Sequence, residues 1–305
     1  MRATVIGGGS WGTALASVLG NNGHEVVIWS FEQDVAEAIA ARRENPKYMP
    51  GVQLPQSVTA MHDLPRSLAG AELVLAVNPS HVTRPVMRQA LPSLPKATPI
   101  VTATKGIEND TLLTMHEVLE DVLPPEMHPY LVCLSGPSFA KETMLKMPTA
   151  VVGVELGGSL KNVCAIAAGI SDGMGFGNNT RAAIMTRGLA ELVRLAVRKG
   201  ANPITLSGLA GMGDLVLTCT GELSRNRTVG LAIGRGQKLK DVLAGMTQVA
   251  EGVRTAKSVH DLSRKLGVDM PLHDAVYRIL YEDLPAKTAL QLLTARELKS
   301  EFQLH

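Results

Sequence analysis

The feature that most constrains the fold of this chain is a glycine-rich turn between a short apolar strand and a helix. Ala3 to Ile6 is typical of a buried strand, Gly7 to Gly12 (GGGSWG) follows directly, and a second strand is expected at Glu25 to Trp29. A turn of this kind must allow a sharp bend, a close approach of backbone to a pyrophosphate and close packing of helix on strand. The glycines that meet these needs in that order are Gly7, Gly9 and Gly12. Because strand, turn, helix and strand follow in the required order, the sequence predicts a dinucleotide-binding site here.

The rest of the first half continues the alternation of β-rich runs with helical stretches. This pattern indicates a parallel sheet with right-handed crossovers. Further strands are predicted at Leu73 to Val77, Pro99 to Thr102 and Tyr130 to Leu134. From Gly158 onward the apolar residues follow a helical period instead. Helices are predicted at Thr180 to Lys199, Lys238 to Leu243, Thr255 to Leu266 and Leu272 to Tyr281. We therefore predict an α/β fold: a Rossmann-type doubly wound parallel sheet domain at residues 1–152, followed by an all-helical domain at residues 153–305.

Composition narrows the function classes. The 30 Lys and Arg residues nearly balance 28 acids, and only ten residues are aromatic, so no nucleic-acid partner is expected. No long apolar run exists beyond the first twenty residues, and glycines interrupt that first run, so neither a membrane span nor a signal peptide is expected. The three cysteines form no CxxC pair, which favours a reducing cytoplasm. The histidines show no metal-ligand spacing, so no metal is expected, and His24 and His81 are expected in loops.

Six blocks along the chain carry a resemblance to a known family. In order they are Gly7 to Ala16 (GGGSWGTALA), Ala103 to Glu108 (ATKGIE), Ser135 to Glu142 (SGPSFAKE), Glu155 to Val163 (ELGGSLKNV), Gly211 to Thr220 (GMGDLVLTCT) and Ser224 to Arg227 (SRNR). With these blocks the chain resembles the NAD(P)-dependent glycerol-3-phosphate dehydrogenases of bacterial type over almost its whole length. The resemblance implies hydride transfer between NAD(P)H and dihydroxyacetone phosphate, a small phosphorylated substrate. The product, glycerol 3-phosphate, is the backbone of glycerophospholipids.

The resemblance also implies roles for individual residues. Lys161 is implied as the catalytic acid/base. The implied substrate contacts are Lys105, Gly136, Ser138, Lys161, Asp214, Ser224, Arg225 and Asn226. The implied cofactor contacts, beside the three motif glycines, are Ser10, Trp11, Lys105, Ala140, Arg225, Val249 and Glu251. The oligomeric state is not decided by the sequence, and a homodimer is one of the open alternatives.

The chemistry of these residues agrees with the implied reaction. Reduction of a ketone needs an acid beside the carbonyl oxygen, and a lysine fits when burial lowers its pKa toward neutrality. Lys161 stands at the start of an apolar helical stretch, although a lysine there could also extend to the surface. Ser224 to Arg227 offers a hydroxyl, an amide and two guanidinium groups to a phosphate, or else an ordinary capped helix. Asp214 could hold an ammonium group or bind the substrate hydroxyls, or else be a plain helix cap.

The second strand ends in a region that distinguishes NAD from NADP. An acid there bonds the ribose hydroxyls of NAD, and an arginine accommodates the extra phosphate of NADP. Here the chain has Phe31, which could stack on adenine, and Glu32, which is either the ribose acid or a first-turn helix acid. Many relatives carry Arg or His at the position of Phe31. The preference between the two cofactors stays open.

One departure from the family concerns the junction between the predicted domains. Pro148 to Val152 runs directly into Gly153 to Gly158, where relatives insert about a helix and a strand. Two alternatives to the leading function remain, and the closed junction motivates the second of them. One is a related β-hydroxyacid or 6-phosphogluconate type dehydrogenase, against which the SRNR block argues. The other is a catalytically impaired dinucleotide-binding protein.

Overall fold

The first half of the chain forms a six-stranded parallel sheet with helices on both faces. The computed structural model describes residues 1–136, 140, 155–246 and 250–295. The sheet strands are β1 (Arg2–Ile6), β2 (Glu25–Trp29), β5 (Val58–Met61), β6 (Leu73–Ala76), β7 (Ile100–Thr102) and β8 (Leu131–Cys133), and a separate antiparallel hairpin pairs β3 (Glu44–Asn45) with β4 (Met49–Gln53). The order across the sheet is β5-β2-β1-β6-β7-β8, so the chain changes direction of winding between β1 and β6. This confirms the predicted fold class.

Burial on both faces explains why these strands are almost wholly apolar. Successive strand residues point to opposite faces, so Val5 packs into one core and Ile6 into the other. The covering helices of this half are α1 (Ser10–Asn21), α2 (Gln33–Arg42), α3 (Leu64–Leu68), α4 (Ser80–Ala90) and α5 (Met115–Val122). Parallel strands buried on both sides favour Val, Ile and Leu at every position, which is the pattern that made them visible in the sequence.

The second half contains helices joined by turns, with no strand among its described residues, and is built around one long helix. The helices are α6 (Glu155–Gly173), α7 (Asn178–Arg198), α8 (Pro203–Leu206), α9 (Asp214–Thr220), α10 (Arg225–Gly234), α11 (Leu239–Ala244), α12 (Glu251–Leu266), α13 (Pro271–Tyr281) and α14 (Ala286–Thr294). Helix α6 lies at the centre, and its apolar residues from Leu156 to Ile170 are buried. Helix α10 approaches it very closely, because a Cβ at Gly169 would lie 2.1 Å from the carbonyl oxygen of Arg227.

The structure corrects several details predicted from the sequence. Strand β5 and the β3–β4 hairpin were not predicted, and α6 begins at Glu155, so Lys161 lies in its second turn. His81 lies in α4 rather than in a loop. The predicted domain boundary at Val152 falls outside the described residues and stays a prediction. No helix in the described ranges combines the length and apolar composition needed to cross a bilayer.

Candidate active site

The turn between β1 and α1 has the geometry that its glycines predict. Gly7 has a φ of +132°, and a Cβ there would lie 2.6 Å from the carbonyl oxygen of Val77. A Cβ at Gly12 would lie 1.9 Å from the carbonyl oxygen of Gly7, so only glycine allows α1 to pack this closely on β1. At Gly9 a Cβ would meet nothing within 4 Å, and this residue precedes α1 without a side-chain cap. The N-terminal amides of α1 and the open space beside them therefore suit a pyrophosphate.

The β3–β4 hairpin contacts the phosphate loop, the turn from Gly7 to Gly12, through hydrogen bonds. Asn45 is fully buried, and its Nδ2 donates to the carbonyl oxygen of Gly8 at 2.8 Å and to Oγ1 of Thr13 at 2.9 Å. Ser10 donates through its hydroxyl to the carbonyl oxygen of Tyr48 at 3.2 Å. Sequence reasoning missed Asn45, because a two-residue strand shows no periodicity.

Beyond the end of β2, Glu32 occupies the N-cap position of α2 and lies outside the first turn of that helix. It immediately precedes α2, and its side chain makes no cap hydrogen bond. Instead its Oε1 accepts from Nζ of Lys47 at 2.5 Å and from the hydroxyl of Tyr48 at 2.9 Å. The neighbouring Phe31 is 76% exposed, with its ring 6.4 Å from that of His62. An apolar ring and a carboxylate thus stand side by side at this end of the sheet.

Three of the predicted site residues meet in one cluster between the two halves. Asp214 is fully buried, and its two oxygens accept from two different lysines, Lys105 and Lys161. The Lys105 Nζ lies 3.1 Å from Oδ2, and Lys161 contacts Oδ1. Lys161 also donates to Oγ1 of Thr218 at 2.8 Å. Thr218, one turn after Asp214 in α9, was not predicted, although the four-residue spacing on a helix would have placed it on the same face.

Burial and charge alter the acid strength of Lys161. Its side chain is only 6% exposed, whereas that of Lys105 is 19% exposed. Burial, together with the positive charge of Lys105, lowers the pKa of Lys161 to about 7, although Asp214 acts in the opposite direction. A lysine with this pKa can both give and take a proton near neutral pH.

The arginines of the SRNR block have different surroundings. Ser224 caps α10 by accepting from the backbone amide of Arg227 at 3.3 Å. The Arg227 guanidinium is paired with Asp172 at 2.8 Å, so a carboxylate already balances its charge. Arg225 is exposed and forms no ion pair with any described residue, and the surrounding protein lowers its pKa. Arg225 is therefore the guanidinium of this block that an anion could use.

The remaining predicted residues lie at the same junction or outside the described ranges. Glu251, at the start of α12, accepts from the hydroxyl of Ser80 in α4 at 2.9 Å, which joins the two halves. Burial raises the pKa of Glu251. The Asn226 side chain is buried and accepts from the backbone amide of Gly252 at 2.9 Å. Gly136 accepts from Lys105 through its carbonyl oxygen at 3.3 Å, and Ala140 packs against the core that contains Val5. Trp11 Nε1 is buried with no hydrogen-bond partner among the described residues, and Ser138 and Val249 lie outside those residues.

The part of the chain that the structure describes contains no set of side chains suited to bind a metal ion. No group of three or more His, Cys, Asp or Glu side chains there could hold an ion. The cluster at this junction instead offers two lysines that share one buried carboxylate.

Comparison with known proteins identifies the family. Models described as the N-terminus and the C-terminus of NAD-dependent glycerol-3-phosphate dehydrogenase match residues 2–155 and 150–291. A glycerol-3-phosphate dehydrogenase [NAD(P)+] from Myxococcus xanthus is 55% identical, with 99% of each chain covered, and one from Anaeromyxobacter sp. (strain K) is 52% identical, with 99% of this chain and 100% of the relative covered. The crystal structure of glycerol-3-phosphate dehydrogenase from Coxiella burnetii is 39% identical, has a TM-score of 0.91 and covers 97% of this chain and 99% of its own. The resemblance stated from the motifs is confirmed.

The same comparison bears on chain length. The alignment with the Myxococcus protein has 332 positions, and this chain has 305 residues, so at least 27 positions have no counterpart here. The relatives are thus longer, as the sequence analysis expected.

Proposed function

This chain belongs to the NAD-dependent glycerol-3-phosphate dehydrogenase family, and we propose that Lys105, Lys161 and Asp214 form the centre that carries out its reaction. The chain is an oxidoreductase that acts on a CH–OH group with NAD(P). The observation that supports these three residues is the Asp214 carboxylate shared by two lysines, of which Lys161 has a pKa near 7.

The proton in this reaction comes from Lys161. Bound NAD(P)H supplies a hydride to the carbonyl carbon of dihydroxyacetone phosphate. As the carbonyl oxygen takes the electron pair of the C=O bond, the Lys161 ammonium gives it a proton and glycerol 3-phosphate forms. Lys161 is then neutral and regains a proton from solvent, so one proton is consumed in each reduction. In the reverse direction neutral Lys161 removes the hydroxyl proton.

The neighbours of Lys161 keep it in place for this transfer. The Asp214 carboxylate holds the ammonium from one side, and the hydroxyl of Thr218 accepts from it on another. Lys105 contributes a second positive charge beside the same carboxylate, where negative charge would develop on the substrate oxygen. These contacts support Lys161 as acid/base and Lys105 and Asp214 as substrate contacts.

The substrate phosphate is assigned to the start of α10. Arg225 lacks an ion-pair partner among the described residues, and Ser224 and Asn226 stand beside it at the helix N-terminus. A guanidinium and free helix amides are good partners for a phosphate. The cofactor pyrophosphate is assigned to Gly7, Gly9 and the first residues of α1, with Glu251 and Trp11 near it by family resemblance.

The test combines binding and turnover on one purified sample, because this also separates an active enzyme from an impaired binding protein. We expect oxidation of NAD(P)H that depends on dihydroxyacetone phosphate. Replacing Lys161 with Ala should reduce kcat by about 10²–10⁴-fold and leave the Kd for NADH within about twofold. Replacing Lys96, which is exposed in a turn, is the matched control. Binding of NADH without any turnover by the unaltered chain would contradict the proposal.

We extend the proposal to the pathway, the compartment and the oligomeric state. The family reaction yields the glycerol 3-phosphate from which glycerophospholipids are built, and we assign the chain to that pathway. Three free cysteines support a reducing compartment, and we assign the chain to the cytoplasm. Exposed apolar side chains at Ile204, Leu209 and Met212 support a homodimer, which light scattering can test.

A further inference from the structure

Glu32 occupies the position in the fold from which a side chain contacts the ribose of the cofactor. It follows β2 and lies twenty residues after Gly12, the last glycine of the phosphate loop. In this fold an acid about 20 residues after the glycine motif bonds the ribose 2′-hydroxyl, whereas an arginine nearby accommodates a 2′-phosphate. Side chains at this position therefore bear on whether the chain selects NADH or NADPH, an inference that rests on the proposed function.

Hydrogen bonds fix Glu32 relative to the phosphate loop. The hydroxyl of Tyr48 and Nζ of Lys47 both donate to Oε1 of Glu32, and the carbonyl oxygen of Tyr48 accepts from Ser10 in the loop. On its other side, the backbone amide of Glu32 donates to Oγ of Ser30 at 3.3 Å. A Cβ at Gly8 would lie 2.8 Å from that same Oγ, so Ser30 packs directly under the loop. The position of the carboxylate is therefore tied to the pyrophosphate site.

The charges around Glu32 disfavour an additional phosphate. Lys47 is the cation that pairs with Glu32 among the described residues, and the negative charges of both Glu32 and Asp34 act on it. The same two acids help to raise the pKa of Tyr48, after its burial. Two carboxylates thus face one ammonium, while a 2′-phosphate would bring nearly two further negative charges.

The next two arginines along the chain do not stand beside Glu32. Arg42 and Arg43 stand at the far end of α2, about 15 Å along the helix from Glu32. The position next to Glu32 carries the exposed ring of Phe31, which can stack on adenine but offers no charge. His62, the ring beside Phe31, accepts or donates at Nδ1 with the carbonyl oxygen of Ser30 at 3.0 Å.

We propose that Glu32, held by Tyr48 and Lys47, makes this chain selective for NADH over NADPH. One free lone pair of the carboxylate bonds the ribose 2′-hydroxyl, and its negative charge repels a phosphate at the same place. Like charges brought together at a binding site lower affinity strongly.

The test measures the Kd of NADH and of NADPH by their fluorescence on the full chain. We expect NADH to bind at least about tenfold more tightly. Glu32→Gln should weaken NADH binding and strengthen NADPH binding, so that the ratio of the two Kd values falls by about tenfold. Glu25→Gln, at the exposed first position of β2, is the matched control: it removes one negative charge elsewhere, so the ratio should change by less than about threefold.

A second variant protects the test against a folding defect. Phe31 is exposed, so Phe31→Arg should fold normally, and it should strengthen NADPH binding by supplying the missing cation. Equal Kd values for the two ligands in the unaltered chain, or an unchanged ratio in both variants, overturns the inference. Equal kcat/KM values for NADH and NADPH in the reduction of dihydroxyacetone phosphate also overturn it but leave the proposed function standing. Failure to bind either ligand overturns both.

Discussion

Burial of the charged form of Lys161 should lower the free energy of unfolding. Replacing Lys161 with Met should therefore make the chain more stable, although inactive. Lys161 is 5% exposed in α6, and burial lowers its pKa from 10.5 to about 7. Between these two values the unfolded chain binds the proton and the folded chain does not. The folded protein is therefore penalised at neutral pH, and its free energy of unfolding rises as the pH rises from 7 to 10.5.

The size of the effect follows from the two pKa values. One pKa unit corresponds to about 1.4 kcal/mol, so the penalty at pH 7 is at most about 5 kcal/mol. Met has no charge to bury and similar length, and Asp214 keeps Lys105 as a partner at 3.1 Å. Some of the gain is lost with the hydrogen bond to Thr218. We expect Lys161→Met to be more stable by about 2–4 kcal/mol at pH 7, and by about 1 kcal/mol at pH 10.

Thermal unfolding followed by circular dichroism at pH 7 and at pH 10 measures both values. In a domain of this size, 1 kcal/mol shifts Tm by about 2–4 °C. Lys96→Met, at an exposed turn, is the control and should change Tm little. A lower Tm for Lys161→Met than for the unaltered chain at pH 7 would refute the reasoning, because attraction to Asp214 would then outweigh the cost of burial.

Two further predictions concern the reaction itself. Arg225→Ala should raise the KM for dihydroxyacetone phosphate by about ten- to a hundredfold, because a charge-assisted hydrogen bond is lost. The control, Arg235→Ala at an exposed position, should leave this KM unchanged. An unchanged KM in Arg225→Ala would remove Arg225 from the site. Reduction needs the ammonium form of Lys161 and oxidation needs the neutral amine, so kcat for reduction should fall and kcat for oxidation should rise as the pH increases through about 7. Profiles that change in the same direction for both reactions would contradict the role of Lys161.

Much of the fold could be predicted because both periodicity and glycine spacing are local properties. Strand β2 was predicted with its observed bounds, Glu25–Trp29, since every one of its residues but the first is buried. Strand β5 was missed because its buried and exposed residues alternate over only four positions, with no glycine marking its ends. The helix start at Glu155 was missed because two glycines follow it in the first turn, where sequence reasoning expects a turn.

The site was predictable by residue type and less so by geometry. A lysine on an apolar helix and an aspartate after GMG were noticed, but a sequence cannot reveal that one carboxylate serves two lysines that are 109 and 53 residues away from it. For Arg227 the sequence suggested one contact and the structure shows another. Its neighbours in the chain suggested a phosphate contact, whereas its guanidinium reaches Asp172 at the end of α6. Ion pairs between residues far apart in the sequence thus decide which of the two arginines in the SRNR block is left without a carboxylate partner among the described residues.

The short junction between the predicted domains provides the last prediction. Strand β8 pairs with β7 alone in the part of the chain that the structure describes, and its Val132 is 50% exposed. Residues Pro148 to Gly153 lie outside the described ranges, and relatives have at least 27 more positions. An exposed apolar surface forfeits about 25 cal/mol per Å², so a few hundred Å² would be a large share of a typical stability of about 5–15 kcal/mol. Inserting the Myxococcus segment between Val152 and Gly153 should therefore raise Tm and tighten NADH binding, whereas a Gly/Ser insert of equal length should do neither. If the graft changes neither quantity, the short junction is a native adaptation and β8 needs no further cover.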